Sequence, residues 1–401
     1  MRIVLLTHVF PRAADDPLGA FLLHLTRGMG ERAQVLVVAP HAAGLLEHET
    51  FGDIRVTRFH YAPDAQETLA YTGVMHEQVA RGIGGKFAFA RFVWAYLRAA
   101  LYAVREFKPQ VIHAHWWLPG GFVGALVSRL TSTPLVITTH GTDVEQLRRA
   151  GWTKPLARFT FGRASIITCG SNYLREQVLE LGVADPARVV VRPMPVNPLF
   201  DGGRRTDDEH ELSPVLRPPS FVVLTVSRLT KQKSVDTIID ALALVRAKGI
   251  DARLRIVGEG DQRGVLEEKI RKAGLEAYVE FLGMRPQIEL PQLYADCDAF
   301  VLSSVREGMG LVIAEALLCG APVIATNSGG IPDMVRDGET GLVFPERDAN
   351  ALAAALEKYA RDPAFAAQLA ANGRALVQAR YTPARAADEF LKIYERASRR
   401  P

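Results

Sequence analysis

Short apolar runs rich in β-branched residues alternate with longer segments of helical period, and they do so in two separate series. RIVLLT (2–7), AQVLVVAP (33–40), PQVIHAH (109–115), PLVITTH (134–140), ASIITCG (164–170) and RVVVRP (188–193) form the first series. SFVVLTVSRL (220–229), RLRIVGEG (253–260), YVEFLG (278–283), DAFVLSS (298–304) and APVIAT (321–326) form the second. Strands separated by helices imply βαβ units and parallel sheets. Between the two series, residues 197–220 are rich in Pro, Gly and charge and have no apolar period, the signature of an exposed linker. At 401 residues the chain exceeds what one core usually supports. The expected fold class is therefore α/β, with two doubly wound Rossmann-like domains: 1–196, the linker 197–220, and 221–378. A helix in the tail 379–401 is expected to cross back to the first domain. Ligands of open α/β sheets bind beyond the strand carboxyl ends, so the chemistry is expected in the loops that follow strands, in a cleft between the domains.

Composition narrows the function classes. Hydrophobic residues make up 48% and charged residues 23%, the balance of a globular chain rather than a disordered one. A net charge of +4 is too mild to argue for nucleic acid, though it suits anionic substrates. Cys169, Cys297 and Cys319 stand far apart, so neither a zinc site nor a disulfide framework is expected. The start, MRIVLLTHVFP, reads as a buried strand rather than a signal peptide, and no run of about 18 uninterrupted apolar residues marks a transmembrane helix. Those readings together point to a cytoplasmic chain.

Two loops carry candidate chemistry. SRLTKQK brings Arg228, Lys231 and Lys233 to a strand-to-helix turn, where cations beside free helix amides suit a diphosphate; a solvated basic loop is the plain alternative. DAFVLSS is followed by Glu307, Gly308, Met309 and Gly310, glycines that let a ligand approach the backbone at a helix start. The helix that follows is apolar on every side except at Glu315, and burying that carboxylate unpartnered is costly. A core cation or backbone amide could satisfy it, and so could the hydroxyls of a ribose.

Glu307 and Glu315, within EGMGLVIAEALLCGAPVIAT and followed by SGGIPDMVRDGETGLVFP, resemble the retaining glycosyltransferases of family four, which have the GT-B fold. FPRAADDPLGAFLLHL resembles that family's first strand and glycine loop, HAHWWLPGG and TTHGTDV its acceptor-side motifs, and SRLTKQK its phosphate-binding Arg and Lys. The resemblance implies that Arg228 and Lys233 hold the donor diphosphate, Glu315 the ribose, and Glu307 hydroxyls of the transferred sugar. Met309, Gly310 and Leu311 would aid sugar and phosphate through their amides, with Gly19 and Gly258 also on the donor side. His140 would lie by the reacting sugar, and His115, Trp116 and Asp143 on the acceptor side. Catalysis would rest on His140, Glu307, Arg228 and Lys233, with front-face attack rather than a glutamate nucleophile. No cofactor and no obligatory metal are implied; the co-substrate would be a UDP- or GDP-sugar and the acceptor a hydroxyl of a glycan, a lipid-linked glycan or a small metabolite. There are departures: Gly19 is followed by Ala20 rather than glycine, and Lys233 by Ser234, which could cap the next helix. A nucleotide-sugar epimerase and a catalytically silent sugar-nucleotide binder are the rival readings.

Other motifs have plain readings. Asp296, Cys297 and Asp298 spell a DxD, but they precede an apolar strand, where turn and capping duty is expected rather than metal. Gly258, Gly260 and Gly264 form an imperfect dinucleotide pattern, read as a close backbone approach; a dehydrogenase rests on nothing else. His113, His115 and His140 lack metal spacing and are expected to be polar cleft residues. Trp116 and Trp117 could stack on a sugar or simply pack. Residues 86–108 combine aromatics with Arg91, Arg98 and Arg105 at sevenfold spacing, which fits a core helix with one basic face or a peripheral contact with an anionic membrane.

Overall fold

The computed structural model describes residues 1–13, 16–72, 75–80, 82–202 and 220–399. Contacts divide the chain into two units, Met1–Pro195 with Pro383–Pro401, and Val196–Thr382.

Unit one is built on an eight-stranded sheet of β1 (Arg2–Leu6), β2 (Gln34–Pro40), β3 (His48–Phe51), β4 (Ile54–Phe59), β5 (Val111–His115), β6 (Leu135–Thr139), β7 (Ile166–Cys169) and β8 (Val189–Val191). Their order is β3-β4-β2-β1-β5-β6-β7-β8, parallel except for the β3–β4 hairpin. The central strands read as unbroken apolar runs because both faces are covered: β5 and β6 are buried at every position. Sequence reading passed over β3 and β4, whose Arg55 and Arg58 resemble loop chemistry. Arg58 is in fact fully buried, paired with Glu49 across the hairpin and donating to the Pro11 carbonyl and the Tyr71 hydroxyl. Pairing of this kind is what allows a guanidinium inside a core.

The helix Ile83–Phe107 buries Phe92, Tyr96, Ala100, Val104 and Phe107 against this sheet. Its other face leaves Phe87, Trp94 and Tyr102 exposed beside Arg98 and Arg105, whereas Arg91 is partly buried. Among the described residues it is the one helix long and apolar enough by composition to cross a bilayer, though arginines interrupt it. Near the chain end, the helix Pro383–Ser398 packs on unit one: Phe390 and Tyr394 are buried, and the Tyr394 hydroxyl meets His113 Nδ1 at 2.7 Å.

Unit two holds a six-stranded, wholly parallel sheet of β9 (Phe221–Val226), β10 (Ala252–Val257), β11 (Val279–Gly283), β12 (Ala299–Leu302), β13 (Val323–Thr326) and β14 (Leu342–Phe344), in the order β11-β10-β9-β12-β13-β14. Residues 197–202, read from sequence as the start of the linker, pack into this unit. Phe200 is fully buried, and Asn197 donates to Gln287. The rest of the linker, 203–219, lies outside the described residues, apart from Ser220. In both sheets the direction of winding reverses beside the first strand of the unit, between β1 and β5 and between β9 and β12. Those switch points are where open α/β sheets hold ligands.

Candidate active site

Three loops meet at the switch point of unit two. Residues 227–233 follow β9, 303–310 follow β12 and 327–331 follow β13. Hydrogen bonds tie them: Val305 N–H donates to the Gln232 carbonyl at 2.8 Å, the Ser303 hydroxyl to the Lys233 carbonyl at 2.7 Å, and Gly330 N–H to the Glu307 carbonyl at 2.8 Å. Gly329 is needed for the last contact. Its φ is +60°, and a Cβ there would stand 2.0 Å from the Glu307 carbonyl oxygen. Sequence reading gave Gly329 no role, since only the adjacency of β12 and β13 reveals one.

The tied loops bring Lys233 and Glu307 together, with Nζ 2.6 Å from Oε2 and both side chains largely buried. Burial alone would raise the Glu307 carboxyl, but the Lys233 charge and hydrogen bond hold it below its ordinary value. Arg228, on the same loop as Lys233, is exposed, and among the described residues no side chain pairs with it. The helix Leu311–Leu318 begins at Gly310, φ +71°, and no side chain caps it, so its first amides remain open to an anion. Glu315 lies on that helix. Its partner is neither lysine nor arginine but the Tyr294 hydroxyl, which donates at 3.0 Å. Burial lifts the Glu315 carboxyl to about 7, and the single bond from Tyr294 offsets this only partly. A carboxylate so poorly served has capacity for further hydroxyl donors.

Gly258 and Gly260 make the close approach read from their spacing: Cβ atoms there would strike the Ser227 carbonyl oxygen at 1.9 Å and that of Leu229 at 2.2 Å. Ser234 stands at the start of the helix Val235–Ala247, but its side chain does not cap it. It is held at φ 47°, a region that glycine adopts without cost, and its hydroxyl instead meets Thr237 Oγ1 at 3.0 Å. Of the DxD residues, Asp298 accepts the Val222 amide of β9 at 2.8 Å and Asp296 accepts the Gln292 side chain at 2.9 Å.

The switch point of unit one gathers a different set. Gly19, φ +77°, opens the helix Ala20–Met29, and a Cβ there would stand 2.8 Å from the Val9 carbonyl oxygen. His115 Nδ1 lies 3.0 Å from His140 Nε2, and Trp116 packs on His140 with ring centroids 4.2 Å apart and on His8 at 4.4 Å. Burial pushes His140 down to about 3 and His8 to about 4, and takes His115 well below its ordinary value, so this cluster is neutral near pH 7. His113 shares the strand face of His115 but is taken up by Tyr394 and Thr138. Asp143 is occupied as well: Oδ1 accepts the amides of His140 and Gly141 and Oδ2 that of Trp117, each at 3.0 Å. Its carboxylate therefore sets the shape of the His140 loop. The second tryptophan, Trp117, is buried, with its indole N–H on the Asp143 carbonyl.

Residues 18–198 match the family Glycosyltransferase Family 4, and residues 207–376 match Glycosyl transferases group 1. The D-inositol 3-phosphate glycosyltransferase of Rhodococcus erythropolis is 33% identical over 304 residues, 72% of this chain and 68% of that protein. Matches of this kind span about two thirds of the length of the curated relatives. Among solved structures, the sucrose-phosphate synthase of Thermosynechococcus elongatus superposes with a TM-score of 0.78 at 24% identity over 98% of both chains. The Anabaena protein HepE in complex with UDP-glucose gives 0.72 at 23% identity, over 98% of this chain and 99% of that one. With both family matches lying on two doubly wound parallel sheets, the chain belongs to the GT-B glycosyltransferases of the family-four, group-1 type.

Proposed function

We propose that this chain is a retaining transferase that moves a sugar from a nucleoside diphosphate donor, UDP- or GDP-linked, to a hydroxyl acceptor in polysaccharide or glycoconjugate synthesis. The observation that carries the reading is the grouping of Arg228, the Lys233–Glu307 pair and the open start of the helix bearing Glu315. The complex of HepE with UDP-glucose, on the same fold, supports a nucleotide-sugar donor.

Breaking a sugar–diphosphate bond develops negative charge on the leaving oxygen and positive charge on the ring. Fixed cations beside the diphosphate lower that barrier. Arg228 and Lys233 supply them, and the amides of Met309, Gly310 and Leu311 add the helix start. Glu315, short of donors, suits the two ribose hydroxyls. Glu307 suits hydroxyls of the sugar, and with one oxygen held by an ammonium it makes a poor nucleophile. This fits front-face attack, in which the leaving phosphate takes the acceptor proton, better than the paired-carboxylate route of retaining glycosidases. On the family pattern His140 serves the reacting sugar, and His115 and Trp116 the acceptor, with Asp143 shaping their loop. No metal is assigned to the transfer, and turnover is expected to persist in a chelator. The exposed aromatic and basic face of Ile83–Phe107 suits peripheral contact with an anionic membrane, at its cytoplasmic side if the acceptor is lipid-linked. Loss of flotation with anionic vesicles on Trp94→Ala would support that contact, and no flotation of the unaltered protein would remove it.

The decisive experiment incubates the protein with UDP-, GDP- and ADP-sugars and follows nucleoside diphosphate release and thermal shift. One donor that stabilises the protein and is slowly hydrolysed supports the reading. Isomerised sugar without acceptor would instead mark an epimerase. Binding with no turnover across a broad acceptor panel would mark a silent binder.

A further inference from the structure

The parallel pairing of β2 with β4 sets Pro40 opposite Phe59, so the next residues, His41 and His60, stand abreast. Their rings lie 3.8 Å apart between centroids. A short turn at Asp64–Gln66 then folds Asp64 and Glu67 back over them. His60 Nδ1 lies 3.6 Å from Asp64 Oδ1 and 3.4 Å from Glu67 Oε1, while His41 Nδ1 lies 4.0 Å from Asp64 Oδ1 and 2.6 Å from Glu67 Oε2. The side chains of His41 and Glu67 are buried, whereas His60 and Asp64 are open to solvent.

The outer nitrogens fix the chemistry of the inner ones. His41 Nε2 donates to the Leu45 carbonyl at 2.8 Å, and His60 Nε2 faces Glu47 at 3.5 Å. The Leu45 carbonyl can only accept, so His41 carries a proton on Nε2; with a metal bound, each ring would offer the nitrogen that faces the two carboxylates. The four ligand atoms all lie within 4.8 Å of one another, a space that a metal cation or a proton on His41 can satisfy, with Glu67 Oε1 also accepting the Tyr61 amide at 2.9 Å. Tetrahedral zinc with bonds of about 2.0–2.1 Å places its ligands about 3.4 Å apart; the two His60 spacings, 3.6 and 3.4 Å, are near that, whereas His41 to Asp64 at 4.0 Å must close and His41 to Glu67 at 2.6 Å must open. The outward bond of His41 to a carbonyl is a usual support of a metal-bound imidazole, and Glu47 stands 3.5 Å from the outer nitrogen of His60. Two neutral histidines and two carboxylates also neutralise a divalent ion.

We propose that His41, His60, Asp64 and Glu67 bind a divalent transition-metal ion of the zinc type. The ion clips the segment after β2 to the segment after β4 and takes no part in sugar transfer. The competing arrangement is an imidazolium on His41 paired with Glu67, which needs no metal.

The test uses the full chain without a histidine tag, stripped with a chelator and titrated with Co²⁺ and then Zn²⁺. One equivalent of Co²⁺ should give the visible bands of a low-coordinate nitrogen–oxygen site, and one equivalent of Zn²⁺ should bleach them. Zn²⁺ should also raise the unfolding midpoint by on the order of 5 °C. Both effects should vanish in His60→Ala and Asp64→Asn, solvent-facing changes that leave the circular dichroism intact, and persist in His48→Ala, a histidine outside the cluster. No saturable Co²⁺ binding, or binding that survives His60→Ala and Asp64→Asn, would overturn the site.

Discussion

At the switch point of unit two the polar groups are charged: Lys233 lies against Glu307, with Arg228 exposed on the same loop as Lys233. At the corresponding place in unit one, His8, His115 and His140 are packed against Trp116 and uncharged. The same winding of strands therefore supports two electrostatic designs. A charged cluster can stabilise charge that develops during a reaction, whereas a neutral, desolvated one offers shape, stacking and hydrogen bonds without attracting ions.

Four changes should break or sharpen that contrast. Glu307→Gln removes the carboxylate of the matched pair and should lower turnover by about 10²–10³-fold, with the fold kept by the near-isosteric amide. Turnover within a factor of three of the parent, measured with whichever donor the nucleotide-sugar panel selects, would end the assignment. Arg228→Ala, at an exposed position, should weaken diphosphate binding by about 10–100-fold, the worth of a charge-assisted hydrogen bond, and calorimetry with the nucleoside diphosphate checks it.

The third change is pH. Glu315 goes from an ordinary 4.5 to about 7 through burial, so it holds its proton more tightly folded than unfolded. Its contribution to stability is then full below about 4.5 and is lost as pH rises toward 7. Donor binding has the opposite sign, because ribose hydroxyls need the carboxylate. Affinity should fall by up to about tenfold per pH unit below 7, and Glu315→Gln should flatten that profile. The smallest effect is expected in unit one. His140→Gln should slow transfer by about 2–10-fold, the net value of one hydrogen bond. It should leave the pH–rate profile between 5 and 8 unmoved, because burial has already pushed His140 to about 3. A profile that shifts would mean that this histidine carries a proton in the reaction.

The same contrast explains what could be read from the chain. Arg228, Lys233, Glu307 and Gly310 stand at ends of apolar strands, so strand periodicity alone puts them on ligand-facing loops. Their support was harder to see: Gly329 matters because β13 lies beside β12, a fact of sheet order that local sequence does not carry. Ser234 promised a helix cap and instead occupies a left-handed position. The β3–β4 hairpin was hidden by Arg55 and Arg58, and with it went the register that sets His41 beside His60. Spacing such as HYAPDAQE shows three of the four groups in that cluster, but the fourth comes from a neighbouring strand.

The pairing of Lys233 with Glu307 also bears on how a cycle ends. A buried ammonium facing an emptied phosphate site would hold its product back, since release would leave it unpaired. If Lys233 holds the donor diphosphate as proposed, Glu307, 2.6 Å away, would replace the departing diphosphate with an internal anion. Dissociation of the spent nucleotide should therefore slow in Glu307→Gln even as chemistry slows, a separation that stopped-flow displacement with a fluorescent nucleotide would reveal.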